Sequence, residues 1–230
     1  MLDNIFTPLD EHLSLLAAKL DKGASSLLPQ IVKRLSAEVR DGSSCIDLSE
    51  SIDTVNDLKK SSIVGNPGDD LPFILTEDSL LYLGRYYHYE CVLSELLNKM
   101  ASISFPKDSD TTLETIKDPE QKLAVQTALT KRLTIISGGP GTGKTWTAAQ
   151  IIIALLKTGV SKVAVAAPTG KAANRLNESL QKTIPSELPE TISTIHKLLG
   201  IRMDGSTRYH ETNKLPYNSV IIDEASMVDL

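Results

Sequence analysis

The stretch Gly138-Gly139-Pro140-Gly141-Thr142-Gly143-Lys144-Thr145 limits what this chain can fold into more than any other. It fits the Walker A pattern G-x-x-x-x-G-K-[ST], a loop whose backbone N–H groups surround phosphate oxygens. Before it, Leu133-Thr134-Ile135-Ile136-Ser137 is a β-branched apolar run that predicts a buried strand. After it, Ala148, Ile151, Ile152, Leu155 and Leu156 recur at helical spacing up to Gly159, a C-cap residue. Strand, glycine loop and helix are what a phosphate cradle requires. The glycines let successive amides turn inward without a Cβ clash, the helix N-terminus adds partial positive charge, and Lys144 reaches the β- and γ-phosphates. Thr145 is predicted to place its hydroxyl on Mg²⁺. An incidental glycine-rich turn would not carry these flanks, so the stretch predicts a nucleoside triphosphate site.

The 230 residues are 41% hydrophobic, enough for a core, and with only 4% aromatics that core must be aliphatic. Cys45 and Cys91 lie far apart without C-x-x-C spacing, which argues against a disulfide framework or a zinc site and for a reducing cytoplasm. Met1-Leu2-Asp3-Asn4 lacks the basic region of a signal peptide, and the longest apolar run, Ile151 to Leu156, is too short to cross a bilayer. A cytoplasmic chain without a membrane partner is therefore expected. The net charge of −5 conceals an asymmetry: residues 131–230 carry 12 basic and 8 acidic side chains, residues 1–130 carry 12 and 21. Only the basic half suits a polyanion.

In the acidic half, Thr7-Pro8-Leu9-Asp10 reads as a capped helix start, with Leu9, Leu13, Leu16, Ala17 and Leu20 as its apolar stripe. A second helix is predicted over Leu28 to Arg40, a short strand at Cys45–Leu48, a short helix over Ile52 to Lys60, and a turn-rich connection from Ile63 to Asp70. Phe73-Ile74-Leu75 and Leu80-Leu81-Tyr82-Leu83 flank a four-residue turn and predict a β-hairpin, followed by a helix with Val92, Leu93, Leu96, Leu97 and Met100 on one face. The tyrosines of Tyr82–Tyr89 could stack on bases, but packing within a small α+β core accounts for them more simply. Residues 106–117 read as a linker, and a helix starts at Asp118-Pro119-Glu120 with Leu123, Ala124, Thr127 and Ala128 on its apolar face.

In the basic half, strands are predicted at Val163–Ala167 and at Ser219-Val220-Ile221-Ile222, alternating with helices from about Lys171 to Lys182 and near Thr194–Leu199. Such alternation predicts a parallel α/β sheet with ligands at the carboxyl ends of its strands. Asp223-Glu224, 79 positions beyond Lys144, ends the last strand as a Walker B pair does. Asp223 would hold Mg²⁺, and Glu224 would orient and deprotonate an attacking water.

Ala167-Pro168-Thr169-Gly170-Lys171-Ala172-Ala173 closely resembles motif Ia of superfamily 1 helicases, and Asp223-Glu224-Ala225-Ser226-Met227 resembles their motif II. Thr194-Ile195-His196-Lys197-Leu198-Leu199-Gly200 is similar to the T-x-H element between them. With the phosphate loop, the set resembles the RecD subunits of bacterial exodeoxyribonuclease V (RecBCD), closely over about 118–230 and more loosely over about 1–117. The resemblance implies an α/β fold: a P-loop (RecA-like) parallel sheet domain over 118–230, incomplete at its C-terminus, preceded by a small, mainly helical α+β domain over 1–105. It implies that Gln121 reads the adenine edge of ATP, and that Pro168, Thr169, Gly170, Lys171, Thr194 and His196 face single-stranded DNA. Each also has a structural reading: Gln121 as a surface amide, the 168–171 loop as a helix cap, His196 as a packing residue.

The resemblance further implies an ATP-dependent 5′→3′ DNA helicase subunit, with ATP and Mg²⁺ as cofactors and RecB and RecC as partners of the N-terminal domain. A stand-alone RecD-like helicase and a non-catalytic nucleotide-binding module are the alternatives. Two departures stand out. Trp146 follows Thr145 where the family usually has a small polar residue, so that the indole either packs on the preceding helix or forms part of the nucleotide pocket's wall. Leu230 ends the sequence six residues after Glu224, before the family's later motifs. The sequence therefore reads as an N-terminal fragment that binds ATP but does not unwind DNA alone.

Overall fold

The computed structural model describes residues 6–106, 114–139, 141–186 and 188–228. The chain start, most of the expected linker (107–113) and Pro140 of the phosphate loop lie outside the described residues. Contacts divide the chain into two units, one up to Leu96 and one from Leu97 to Val228.

In the first unit, helix α1 spans Pro8–Asp21 and begins with a capping box: Thr7 N–H donates to the Asp10 carboxylate at 2.7 Å, and Thr7 Oγ1 accepts from Asp10 N–H. It packs on α2, Leu28–Arg40, through Ala17, Leu28, Val32 and Leu35. Strands β1 (Cys45–Asp47), β2 (Val64–Gly65), β3 (Phe73–Leu75) and β4 (Leu80–Leu83) form a sheet in the order β1-β4-β3-β2, with α3 (Ile52–Leu58) between β1 and β2. The hairpin has the expected turn, Ser79 N–H donating to Thr76 O at 3.0 Å. The stretch read as a turn-rich connection supplies an extra strand, since Val64 and Gly65 pair in parallel with Phe73 and Ile74. Of the tyrosines read as core packing, Tyr82 is buried and meets Tyr87 edge-on at 5.3 Å, whereas Tyr86 and Tyr87 are half-buried and Tyr89 is exposed. Helix α4, Gly84–Ala101, buries none of its side chains, so the face carrying Val92, Leu93 and Leu96 is formed but exposed.

Helix α1 differs from its predicted stripe. Leu9 (68% exposed), Leu16 and Leu20 face solvent, whereas Asp10, Ser14, Ala17 and Asp21 are buried. Burying a carboxylate costs several kcal/mol unless it is fully bonded, and both of these are. Asp10 accepts from Ser36 Oγ at 2.7 Å and pairs with Arg40; Asp21 accepts from Ser25 N–H at 2.7 Å and Ser62 N–H at 3.1 Å. Burial alone would raise the Asp10 carboxyl; the Ser36, Thr7 and Arg40 donors outweigh it and hold the group well below the usual range. Periodicity of apolar residues cannot see such a polar tether.

The second unit contains α5 (Pro119–Thr130), α6 (Lys144–Lys157), β5 (Val163–Ala167), α7 (Gly170–Thr183), β6 (Thr191–Thr194), α8 (Ile195–Leu199), β7 (Ser219–Ile222) and a 3₁₀ turn at Ala225–Met227. The strands are all parallel, in the order β6-β5-β7. Every residue of β5 is buried. Val163 and Val165 meet Val125 of α5, Ile152 and Leu155 of α6 and Leu176 and Leu180 of α7; Ala164 and Ala166 meet Leu198 of α8. Helices cover both faces, which is why this strand reads as a continuous apolar run.

Three local expectations fail here. Leu133–Ser137 forms no strand: β7 is the sheet edge, the run does not pair with it, and Ile135 is left 80% exposed. β-propensity fits a residue to a sheet surface but does not supply a pairing partner. Thr191–Thr194, where no strand is predicted, is a strand recruited by β5. On α5 the buried residue is Val125, with Leu123 turned to solvent, because packing on α6 selects the face.

Candidate nucleotide and polynucleotide site

The phosphate loop is organised by its own side chains. Lys144 Nζ donates to the carbonyls of Gly138 at 2.6 Å and Gly139 at 2.9 Å, and Thr142 Oγ1 donates to Gly139 O at 2.9 Å. Gly141 (φ +79°) and Gly143 (φ +83°) take left-handed conformations, and Gly143 is the N-cap of α6. A side chain at either position would be strained by about 1–2 kcal/mol. Gln121 Nε2 donates to Thr142 O at 3.3 Å, bringing α5 against the loop. Asp118 caps α5 by accepting from Glu120 and Gln121 N–H, which fixes where Gln121 stands. Thr145 is the second residue of α6. Among the described residues the loop's hydrogen bonds run within itself, into α6 and to Gln121.

Sheet register brings the other candidates to one edge. Ala167, the last residue of β5, pairs with Thr194, the last of β6, and Ala166 pairs with Ile222, the last of β7. Pro168–Lys171, Thr194–His196 and Asp223–Glu224 thus leave the sheet side by side at its carboxyl edge. Thr169 caps α7, its Oγ1 accepting from Ala172 N–H at 3.2 Å, and Thr194 caps α8 by accepting from Lys197 N–H at 3.2 Å. The capping reading therefore holds for Thr169, and Thr194 is a cap that no reading of the sequence assigned; Gly170, Lys171 and His196 are exposed. Asp223 N–H donates to Ala166 O at 2.9 Å, continuing the ladder one residue past β7. Glu224 is exposed and left-handed (φ +53°), a conformation that strains a residue with a Cβ and for which the sequence holds no signal.

Mg²⁺ makes modest demands on protein ligands. That ion takes one or two protein oxygens and completes its shell with phosphates and water; Thr145 stands in the first turn of α6 and the half-buried Asp223 just beyond β7, one a hydroxyl and the other a carboxylate. No cluster of three or more metal-ligating side chains exists among the described residues, which argues against an all-protein metal cage.

Residues 121–230 match a family described as AAA domain. Over 98% of this chain, the RecBCD enzyme subunit RecD of Mycolicibacterium smegmatis is 33% identical, the alignment covering 46% of that protein. The RecD subunit of Buchnera aphidicola from Acyrthosiphon pisum is 37% identical over 80% of this chain and 33% of its own length. The chain is RecD-like. An ATP-dependent RecD2 DNA helicase of Deinococcus radiodurans is 39% identical over 42% of this chain. The chain spans less than half the length of these relatives. The RecD likeness extends through both units, and the α/β unit has the parallel sheet and flanking helices of a P-loop fold. No helix among the described residues is long and apolar enough to cross a membrane.

Proposed function

We propose that this RecD-like chain binds ATP at Gly138–Thr145 and grips single-stranded DNA through Pro168–Lys171, Thr194 and His196, as the nucleotide-binding part of an ATP-dependent 5′→3′ DNA helicase subunit. The observation that carries the reading is the shared carboxyl edge, where Thr169, Thr194 and Asp223 each stand in a paired rung or within two residues of one. In this reading Lys144 shifts its donors from loop carbonyls to phosphate oxygens, and Gln121 presents its amide to the adenine edge. Thr145 and Asp223 hold Mg²⁺, which offsets charge on the phosphates when bound. Glu224 orients and deprotonates the attacking water.

The domain assignment belongs to the same proposal: 1–105 for docking, 106–117 as linker, 118–230 as motor. Support for docking comes from the acidic first half and the exposed Leu9, Leu16 and Leu20. Partners in a RecBCD-type complex, RecB and RecC, and a cytoplasmic setting follow. The 98% coverage by a RecD subunit, against 42% by a RecD2 helicase, favours a complex subunit over a stand-alone enzyme. Unwinding is not assigned to these 230 residues by themselves.

Equilibrium binding of ATP and of a single-stranded oligonucleotide tests the reading. Mg²⁺-dependent ATP binding weakened in Lys144→Ala, with DNA binding weakened in Lys171→Ala, is expected. Binding of both ligands unchanged in both variants would overturn it.

A further inference from the structure

Trp146 is the chain's only tryptophan and the third residue of α6, directly after Lys144 and Thr145. The core side of α6 carries Thr147, Ala149, Ile151, Ile152, Ala154 and Leu155, all buried. At 100° per residue Trp146 falls outside that arc, on the side of Gln150 and Lys157, and its indole is 36% exposed. The core therefore does not account for this side chain.

Helical side chains lean toward the N-terminus and cover the turn before their own Cα. For Trp146 that turn is Thr142–Gly143. The same two residues meet Gln121: its Nε2 lies 3.3 Å from Thr142 O and 2.8 Å from where a Cβ on Gly143 would stand. Gln121 is likewise the third residue of its helix, and α5 and α6 pack on each other. The start of α5 thus gives this bend an amide, and helix geometry directs the Trp146 indole from the start of α6 toward the same bend.

An amide reads the edge of a base by paired hydrogen bonds, and an indole binds its face. We propose that Trp146 is the stacking wall of the nucleotide site, its indole lying against the purine whose edge Gln121 reads. The proposal rests on the phosphate loop being a nucleotide site. It adds a residue that sets affinity for the base and leaves the polyphosphate contacts alone.

The test compares ATP with inorganic tripolyphosphate, which has the phosphates but no base, on the 230-residue chain. ATP is expected to change the emission of the single tryptophan, and tripolyphosphate to leave it as it was. By equilibrium dialysis, Trp146→Ala should weaken ATP roughly tenfold while tripolyphosphate affinity stays within about twofold, and Trp146→Phe should keep most ATP affinity. Equal weakening of both ligands, no weakening of either, or ATP binding without an emission change would overturn the proposal and leave the nucleotide site standing. If the parent chain binds neither ligand, the nucleotide reading itself fails and the stacking wall falls with it.

Discussion

Gln121 donates its side-chain amide to the Thr142 carbonyl, 3.3 Å away, and so ties the first turn of α5 to the bend of the phosphate loop. The tie makes the loop's geometry depend on a residue outside the glycine pattern. Gly143 sits beneath that amide, close enough that a methyl group there would collide with it.

Gly143→Ala should therefore harm the chain more than Gly141→Ala. Both positions have positive φ, but only at Gly143 would a Cβ meet a neighbour, whereas Gly141 has nothing within 4 Å. Strain of about 1–2 kcal/mol is expected at each, with displacement of Gln121 added at 143. Thermal melts and ATP titrations of the two variants would be compared; equal losses would contradict the account.

Lys144→Ala should reduce ATP affinity by roughly tenfold to hundredfold, the range for losing charge-assisted hydrogen bonds. The fold should survive, since Lys144 bonds only to loop carbonyls here. Isothermal titration beside a melting curve separates the two effects.

At the carboxyl edge of the sheet, stability and DNA affinity should part company. Thr169→Ala removes the α7 cap and should cost about 1 kcal/mol of stability, restored in Thr169→Ser. Lys171→Ala should leave the melting temperature alone, weaken oligonucleotide binding, and lower the slope of log affinity against log salt by about 0.7. An unchanged slope would remove Lys171 from the phosphate contacts.

Acid should act on the first unit through Asp57. The Ser25 hydroxyl, then the Leu27 N–H, hold its carboxyl at about 2, below its ordinary value of 3.8, with Lys60 adding to the effect. A depressed folded value means stability that is present above about pH 4 and lost as pH falls toward 2. Asp57→Asn should melt lower than the parent at pH 7, and the two curves should converge on acidification. Parallel curves across that range would rule the carboxylate out.

Much of this was legible in the residues, and the exceptions share a cause. Thr7-Pro8-x-Asp10 announces its cap, Leu28–Arg40 its helix, and Val163–Ala167 a strand covered on both faces, because each is decided by local geometry or by burial. The places of Lys144, Thr169 and Asp223 were legible for the same reason, since each stands at a fixed spacing beside a regular element. What escaped was decided by distant partners. Asp10 and Asp21 are buried because Ser36, Arg40, Ser25 and Ser61 wait for them, and the leucines beside them turn outward. Leu133–Ser137 has the composition of a strand without a ladder, and Thr191–Thr194 gains a ladder from β5.

Strand β5 also acts as a ruler. Its paired rungs set where the loops from all three strands begin, and each residue along a strand is a step of about 3.3 Å. Sliding β6 by two residues against β5 would keep every side chain on its proper face yet carry Thr194 and His196 about 6.6 Å from Pro168–Lys171, one nucleotide's length. Ala164 and Ala166 form two of the rungs that hold this register and share a small apolar cluster with Leu198 of α8. The spacing between the loops at this edge is thus fixed by backbone rungs set back inside the sheet.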